Sequence, residues 1–272
     1  MSTSQIYRLG FIGAGKLAGS VIRGLIRAKF CPPDEIIASE PNEQTRTALQ
    51  KESEVSVTAE NAEVAEKAEV IFIGVKPAMV LPVLQELSDN LKHKLLISLA
   101  GGVRISSMEK VANARFMRAL TNTPAAICSA ATGIARGTRT TKEDVDLMKK
   151  IFGAIGVVVE VEEAQIDAVT ALSGSGPAFI YTVIEALAKG GTKMGLSDDV
   201  GLELATQTAL GAAALMQESK MSPEELRKMV VTPGGTTAAG LAVMEKLGTS
   251  ESLVAAVEAA AKRGQEMAKE NS

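Results

Sequence analysis

The sequence predicts an α/β fold in two domains: a mostly parallel sheet with intervening helices over residues 1–162, then an all-helical domain over residues 163–272. Three observations predict it. From Tyr7 to about Val161, short β-branched runs alternate with segments of helical spacing, the pattern of βα units. A glycine-rich turn follows the first of those runs directly. After Glu162 the β-branched alternation stops, and the remainder reads as helix punctuated by Gly and Pro.

The strands are expected at residues 9–12, 35–39, 55–57, 70–73, 95–99, 115–120, 132–135 and 157–161. The first leads into Ile12-Gly13-Ala14-Gly15-Lys16-Leu17-Ala18-Gly19 and then a helix from Ser20. Gly13 permits the tight strand-to-helix turn, Gly15 lets backbone approach a pyrophosphate, and Ala18 allows close helix–strand packing. Phosphates then sit on amide groups at the helix start. The same six residues also suit a glycine-tolerant turn without a ligand. Their place after the first strand, with Glu40 about 25 residues on at the offset of a ribose-binding carboxylate, favours a Rossmann-type dinucleotide site.

Further along, Thr141-Lys142-Glu143-Asp144 has the form of a capping box ahead of an apolar helix stripe. In the second domain, Ile180, Val183, Ile184 and Leu187 mark an amphipathic helix over residues 176–195. The next, over residues 201–218, is apolar nearly all round, and so small a domain cannot cover it alone. An intertwined helical dimer is therefore expected. Ser222-Pro223-Glu224-Glu225 starts another helix, and the last runs from Ser250 to about Met267. The polar tail Lys269-Glu270-Asn271-Ser272 is expected to fray.

Composition excludes several classes. Among 272 residues the formal net charge is −3 and the cations are scattered, so nucleic acid has no electrostatic footprint. There is no Trp and only Tyr7 and Tyr181 as tyrosines, which removes a base-stacking platform. Cys31 and Cys128 fit neither metal-ligand nor disulfide spacing and read as packing residues. The chain opens without a basic segment leading to an apolar run and has no stretch resembling a membrane span. A cytoplasmic setting, with no membrane partner and no metal, is the expectation.

Three further loops stand out. Gly74-Val75-Lys76-Pro77 and Ala100-Gly101-Gly102 each follow a strand at the carboxyl edge, where open parallel sheets bind ligands. Lys76 is either a solvated loop lysine or a cofactor contact. Leu172-Ser173-Gly174-Ser175-Gly176-Pro177-Ala178 is read as the end of one helix and the start of another, with free amides and two hydroxyls that suit a carboxylate. The related run Thr232-Pro233-Gly234-Gly235-Thr236-Thr237-Ala238 sits ahead of another apolar helix. Either run is otherwise a flexible interhelical turn. The only histidine, His93, lies in a polar turn, so no good base is visible for oxidising an alcohol. Reduction of a protonated imine needs chiefly a hydride, orientation and a fixed carboxylate.

Five segments together resemble the pyrroline-5-carboxylate reductases, which reduce 1-pyrroline-5-carboxylate to L-proline with NADPH or NADH. They are residues 11–18, Val75-Lys76-Pro77, Met117-Arg118-Ala119-Leu120-Thr121-Asn122-Thr123-Pro124, residues 167–178, and Thr232-Pro233-Gly234-Gly235-Thr236-Thr237. The resemblance spans essentially the whole chain. It implies cofactor contacts from Ile12, Gly13, Ala14, Gly15, Lys16, Leu17, Glu40, Asn42, Asn61, Val75, Lys76, Pro77, Ala100 and Gly101. Substrate contacts are implied for Ser173, Gly174, Ser175 and Gly176, and for Gly235, Thr236 and Thr237 of the partner subunit. Thr170 matches a threonine placed near the ring nitrogen. A helix-exchanged dimer, assembled as a ring of five, is also implied. Glu40 departs from the small polar or basic residues that accompany a 2′-phosphate, so better NADH use is expected, although Ser39, Asn42 or Arg46 can still admit NADPH. A hydroxyacid dehydrogenase of similar build is the nearest rival, but it uses a lysine where this chain has Phe179, Ile180, Tyr181 and Thr182. A non-catalytic dinucleotide-sensing protein is the other.

Overall fold

The computed structural model describes residues 5–271, and within them eight strands pair into one sheet. They are β1 (Tyr7–Ile12), β2 (Ile36–Ser39), β3 (Ser56–Thr58), β4 (Ala68–Ile73), β5 (Leu95–Ser98), β6 (Arg115–Leu120), β7 (Ala130–Arg136) and β8 (Gly156–Glu160). Their order is β3-β2-β1-β4-β5-β6-β7-β8, and every neighbouring pair is parallel except β6 with β7. All eight expected strands are present. Three of them, β1, β4 and β7, run longer than expected, because pairing recruits flanking residues: Tyr7 registers with Ala68, and Ala130 with Gly156.

Alternate residues of the central strands feed two apolar layers, one on each sheet face. Leu9, Phe11, Phe72, Ile97 and Met117 enter the first; Ile12, Ile71, Ile73, Leu96 and Phe116 enter the second. A sheet buried on both faces is why these strands read as nearly continuous apolar runs. Phe11 stacks on Phe72 with ring centroids 4.6 Å apart, and Phe152 meets Phe72 edge-on at 6.1 Å. The first layer is closed by helix Lys16–Arg27 through Val21, Ile22 and Leu25. Helix Lys142–Gly153 begins with the expected capping box of Thr141 and Asp144, and Arg115 Nε holds Asp144 Oδ2 at 2.8 Å.

By packing, the chain divides into two compact units: one holds residues up to Ser175 and those from Glu258 onward, the other spans Gly176–Val257. The change from strand to helix falls earlier, near residue 162. The reason for the difference is Ile166, which is fully buried against Leu120 and Ala135 and so anchors helix Ile166–Val169 on the sheet. In the second unit, helices Gly176–Lys193 and Asp198–Ser219 pack so closely that a β-carbon on Gly201 would lie 3.0 Å from the Ala188 carbonyl oxygen. Helices Pro223–Val230 and Thr236–Lys246 follow, the former opened by the Ser222/Glu225 capping box. Leu202, Leu204, Leu210 and Leu215 of the apolar helix are each more than half exposed in the single chain.

The last helix, Thr249–Glu270, extends past the expected end near Met267. Fraying of the tail is corrected for the described residues. Arg263 grips Glu270 through two contacts of 2.7 and 3.0 Å, and the Asn271 side-chain amide donates to the carbonyls of Met267 (2.7 Å) and Gly102 (3.3 Å). Ser272 lies outside the described residues. No helix among those residues is long and apolar enough to cross a membrane.

Candidate active site

The carboxyl ends of β1 and β4, neighbours where the strand order reverses direction, interlock through their turns. Gly13 has φ +84°, and its amide donates to the Ser39 carbonyl at 3.0 Å. The Gly74 amide donates to Ile12 at 2.8 Å, and a β-carbon on Gly74 would stand 2.4 Å from the Gly13 oxygen and 2.9 Å from Ala18 Cβ. Small residues at 13, 18 and 74 are thus a mutual requirement. Gly15 is the N-cap of helix Lys16–Arg27, and a β-carbon there would meet nothing within 4 Å. That helix start carries neither a side-chain cap nor an acidic residue in its first turn. Unused amides with an open approach are what a diphosphate requires, so the residues fit a dinucleotide.

At the end of β2, the Glu40 carboxylate folds back to accept the Asn42 amide at 3.0 Å. Asn42 itself caps the next helix by accepting from the Thr45 amide at 2.9 Å. Arg46 lies in the same bend, its Nη1 donating to the Glu40 carbonyl at 2.7 Å and to Pro41 at 3.3 Å. Ser39 Oγ donates to Asn61 Oδ1 at 2.7 Å, tying the start of helix Asn61–Lys67 to β2. The bend after β2, expected to meet the ribose, therefore carries one carboxylate and one guanidinium together. Val75 and Lys76 follow β4, and Pro77 opens helix Pro77–Glu86 as expected, where its missing amide hydrogen leaves no bond unmade.

Ala100 and Gly101 follow β5. A β-carbon on Gly101 would lie 3.6 Å from Thr170 Cγ2, so the loop after β5 and the expected catalytic threonine are neighbours. Thr170 opens a π-helical turn, Thr170–Gly174, that continues helix Ile166–Val169. One helical stretch thus ends and another starts within residues 172–178 as expected, but the Ser175 amide is not free. The Ser175 amide donates to the Thr170 carbonyl at 2.9 Å, and a single bend at Ser175 precedes helix Gly176–Lys193. Wide turns of this kind are frequent at functional sites. Thr170 Oγ1 donates to the Ile166 carbonyl at 2.8 Å and Ser173 Oγ to Val169 at 2.9 Å, which leaves both oxygens as acceptors. Asn122 locks the turn, its amide nitrogen donating to the Ser173 carbonyl at 3.1 Å while its oxygen accepts from Ala131.

Gly176 and the segment Gly235, Thr236, Thr237 belong to the second unit. There Gly234 has φ +71°, and Gly235 caps helix Thr236–Lys246 by backbone alone, so its first amides have no side-chain partner. His93 is exposed in the turn before β5, away from the carboxyl edge, as its surroundings in the sequence suggest.

The sequence reading passed over one feature. Arg118 on β6 has no exposed surface, and Glu163, Asp167 and Arg104 surround it. Burial pushes its guanidinium below the usual arginine range, offset by the carboxylates of Glu163 and Asp167. The signal was available: an arginine inside the otherwise apolar run Phe116-Met117-Arg118-Ala119-Leu120.

Residues 163–267 match the family model described as pyrroline-5-carboxylate reductase dimerisation, and residues 8–102 match that of NADP oxidoreductase, coenzyme F420-dependent. A pyrroline-5-carboxylate reductase of Glycine max is 41% identical over 97% of this chain and 97% of its own. The crystal structure of a Plasmodium falciparum pyrroline carboxylate reductase with NADP bound superposes with a TM-score of 0.88 at 29% identity, covering 96% of this chain and 98% of the other. A pyrroline-5-carboxylate reductase of Coxiella burnetii superposes at 0.87 with 34% identity, covering 97% and 99%.

Proposed function

The chain belongs to the pyrroline-5-carboxylate reductase family, and from that premise we propose how its own residues perform the reaction. It reduces 1-pyrroline-5-carboxylate to L-proline by hydride transfer from NADPH or NADH, the last step of proline biosynthesis. The observation that carries the mechanism is the nearness of Thr170 to Gly101 at the carboxyl edge of the sheet, where a β-carbon added to the glycine would stand 3.6 Å from Thr170 Cγ2.

The bound cofactor supplies the hydride. Gly13 to Leu17 would hold its diphosphate with backbone amides, while the bend of Glu40, Asn42 and Arg46, together with Asn61, would meet the ribose. Val75, Lys76, Pro77, Ala100 and Gly101 line the way toward the reacting end. The imine enters protonated, and the hydride pair adds to its carbon as the C=N π pair withdraws onto nitrogen, which gives the neutral amine of proline and the oxidised cofactor. Thr170 spends its hydroxyl proton on Ile166, so its oxygen is arranged to accept the iminium N–H and orient the ring. That supports a role in orientation rather than as the proton source. Ser173 to Gly176 and Gly235, Thr236 and Thr237 of the partner subunit are assigned to the substrate carboxylate. Orientation and exclusion of water supply most of the acceleration.

The dimer buries the apolar helix Asp198–Ser219, and we extend the assembly to a ring of five dimers. A cytoplasmic setting is the accompanying proposal, supported by the free thiols of Cys31 and Cys128. Following reduced-cofactor absorbance with and without 1-pyrroline-5-carboxylate tests the reaction. No consumption points to a dinucleotide-sensing protein, and cofactor reduction by a hydroxyacid points to the rival dehydrogenase.

A further inference from the structure

Strand β6 holds Arg118 with no exposed surface, so its side chain touches neither reactant. Its Nη1 stands 3.6 Å from Glu163 Oε1, and Nη2 donates to the Ala100 carbonyl at 3.5 Å. Glu163 Oε1 also accepts the Ile105 amide at 2.6 Å, and Arg104 Nη2 reaches Asp167 Oδ2 at 3.3 Å. Two cations and two carboxylates join three stretches of chain: β6, the loop from Ala100 to Ile105, and the segment from Glu163 that leads into Thr170. Nε and Nη1 of Arg118 and Oδ1 of Asp167 make no hydrogen bond among the described residues.

Such a cluster is a poor source of stability, because the loss of hydration of buried charges offsets their attraction, and apolar replacements are often neutral or stabilising. What it does select is geometry. Ala100 directly precedes Gly101, and Asp167 lies just under one helical turn before Thr170. The cluster thus ties together the segments that carry the same two neighbours, the Gly101 loop and Thr170. We infer that Arg118 is a positioning residue for hydride transfer, its pairing with Glu163 setting the placement of Thr170 against the Gly101 loop. This rests on the reading of the chain as a pyrroline-5-carboxylate reductase.

The test compares wild type, Glu163→Gln and the double variant Arg118→Met/Glu163→Gln. The single change keeps an amide oxygen for Ile105, and the double change removes both charges so that neither is left buried and unpaired. Thermal unfolding, NADPH dissociation constant by fluorescence, kcat, KM for the imine, the isotope effect from cofactor deuterated at the transferred position, and hydrogen exchange are measured on each. The expected result for the double variant is kcat reduced about tenfold or more, since small misplacements of reacting groups are costly. NADPH affinity stays within about twofold, the isotope effect on kcat rises, and exchange quickens in residues 100–105 and 163–174 alone.

A folded double variant with kcat within about twofold of wild type and unchanged exchange overturns the inference. So does a loss of turnover matched by equal losses of cofactor affinity and melting temperature, the mark of a merely structural role. If the double variant fails to fold, Glu163→Gln decides: a kcat about threefold lower at unchanged NADPH affinity supports positioning, and wild-type kcat overturns it. Absence of turnover in the wild type itself would sink the functional reading, while the exchange pattern would still decide the positioning claim.

Discussion

Thr170 turns its Cγ2 methyl toward Gly101, 3.6 Å from where a β-carbon on that glycine would stand, while its hydroxyl donates backwards to Ile166. Methyl and hydroxyl therefore point to different neighbours, the methyl toward the loop and the hydroxyl toward Ile166, and the proposed mechanism gives the hydroxyl oxygen the ring nitrogen. Thr170→Val keeps the first and removes the second. Steady-state kinetics are expected to show kcat lower by about ten- to a hundredfold, with NADPH affinity unchanged. Equal loss of both would mean that the hydroxyl only holds the π turn together.

The proposed mechanism places cofactor choice at the bend after β2. Glu40 repels a 2′-phosphate at close range, while Arg46, donating to the Glu40 and Pro41 carbonyls, draws one in. Glu40→Ser is expected to raise the NADPH-to-NADH ratio of kcat/KM about tenfold, equivalent to about 1.4 kcal/mol. An unchanged ratio would show that the carboxylate, already accepting the Asn42 amide, stays turned from the ribose.

Gly74→Ala tests the interlocked turns. Its β-carbon would meet backbone at the Gly13 oxygen and the β-carbon of Ala18, neither able to swing aside as a flexible side chain does. Overpacking of this kind destabilises by about 1–3 kcal/mol. Displacement of the Gly13 turn should weaken NADPH binding at least tenfold in a fluorescence titration, whereas kcat at saturating cofactor should fall much less.

Lys94 supports the site from a distance. Its ammonium donates to the carbonyls of Ala65, Glu66 and Ala68 at 2.6, 3.0 and 2.8 Å, closing the end of the short helix that begins with Asn61. Lys94→Met leaves those carbonyls short of a donor and is expected to lower stability by about 1–3 kcal/mol in urea unfolding. KM for the cofactor should rise with it, through Asn61 and its partner Ser39.

The apolar helix can be tested directly. Leu210 is 62% exposed in the single chain, so Leu210→Glu alters little within one protomer. In a dimer it buries an unpaired carboxylate. Sedimentation is expected to move from at least two chains toward one, with turnover lost under the proposal that the partner's Gly235, Thr236 and Thr237 hold the substrate carboxylate. A variant that stays dimeric would place Leu210 outside the interface.

The sequence by itself determined the eight strands, the glycine turn after β1, the capping boxes at Thr141 and Ser222 and the excess of apolar surface on the second helical segment. Each of these is written in periodicity or in the chemistry of a few adjacent residues. The resemblance then carried the site residues and the reaction. Tertiary structure alone decided the π turn at Thr170, the clamp of Asn122 on Ser173, the anchoring of Ile166 on the sheet and the buried cluster around Arg118. The physical reason is range. Pattern and capping act over a few residues, whereas a π turn, a buried guanidinium and a helix docked on a sheet are settled by partners dozens of positions away, which no local spacing reveals.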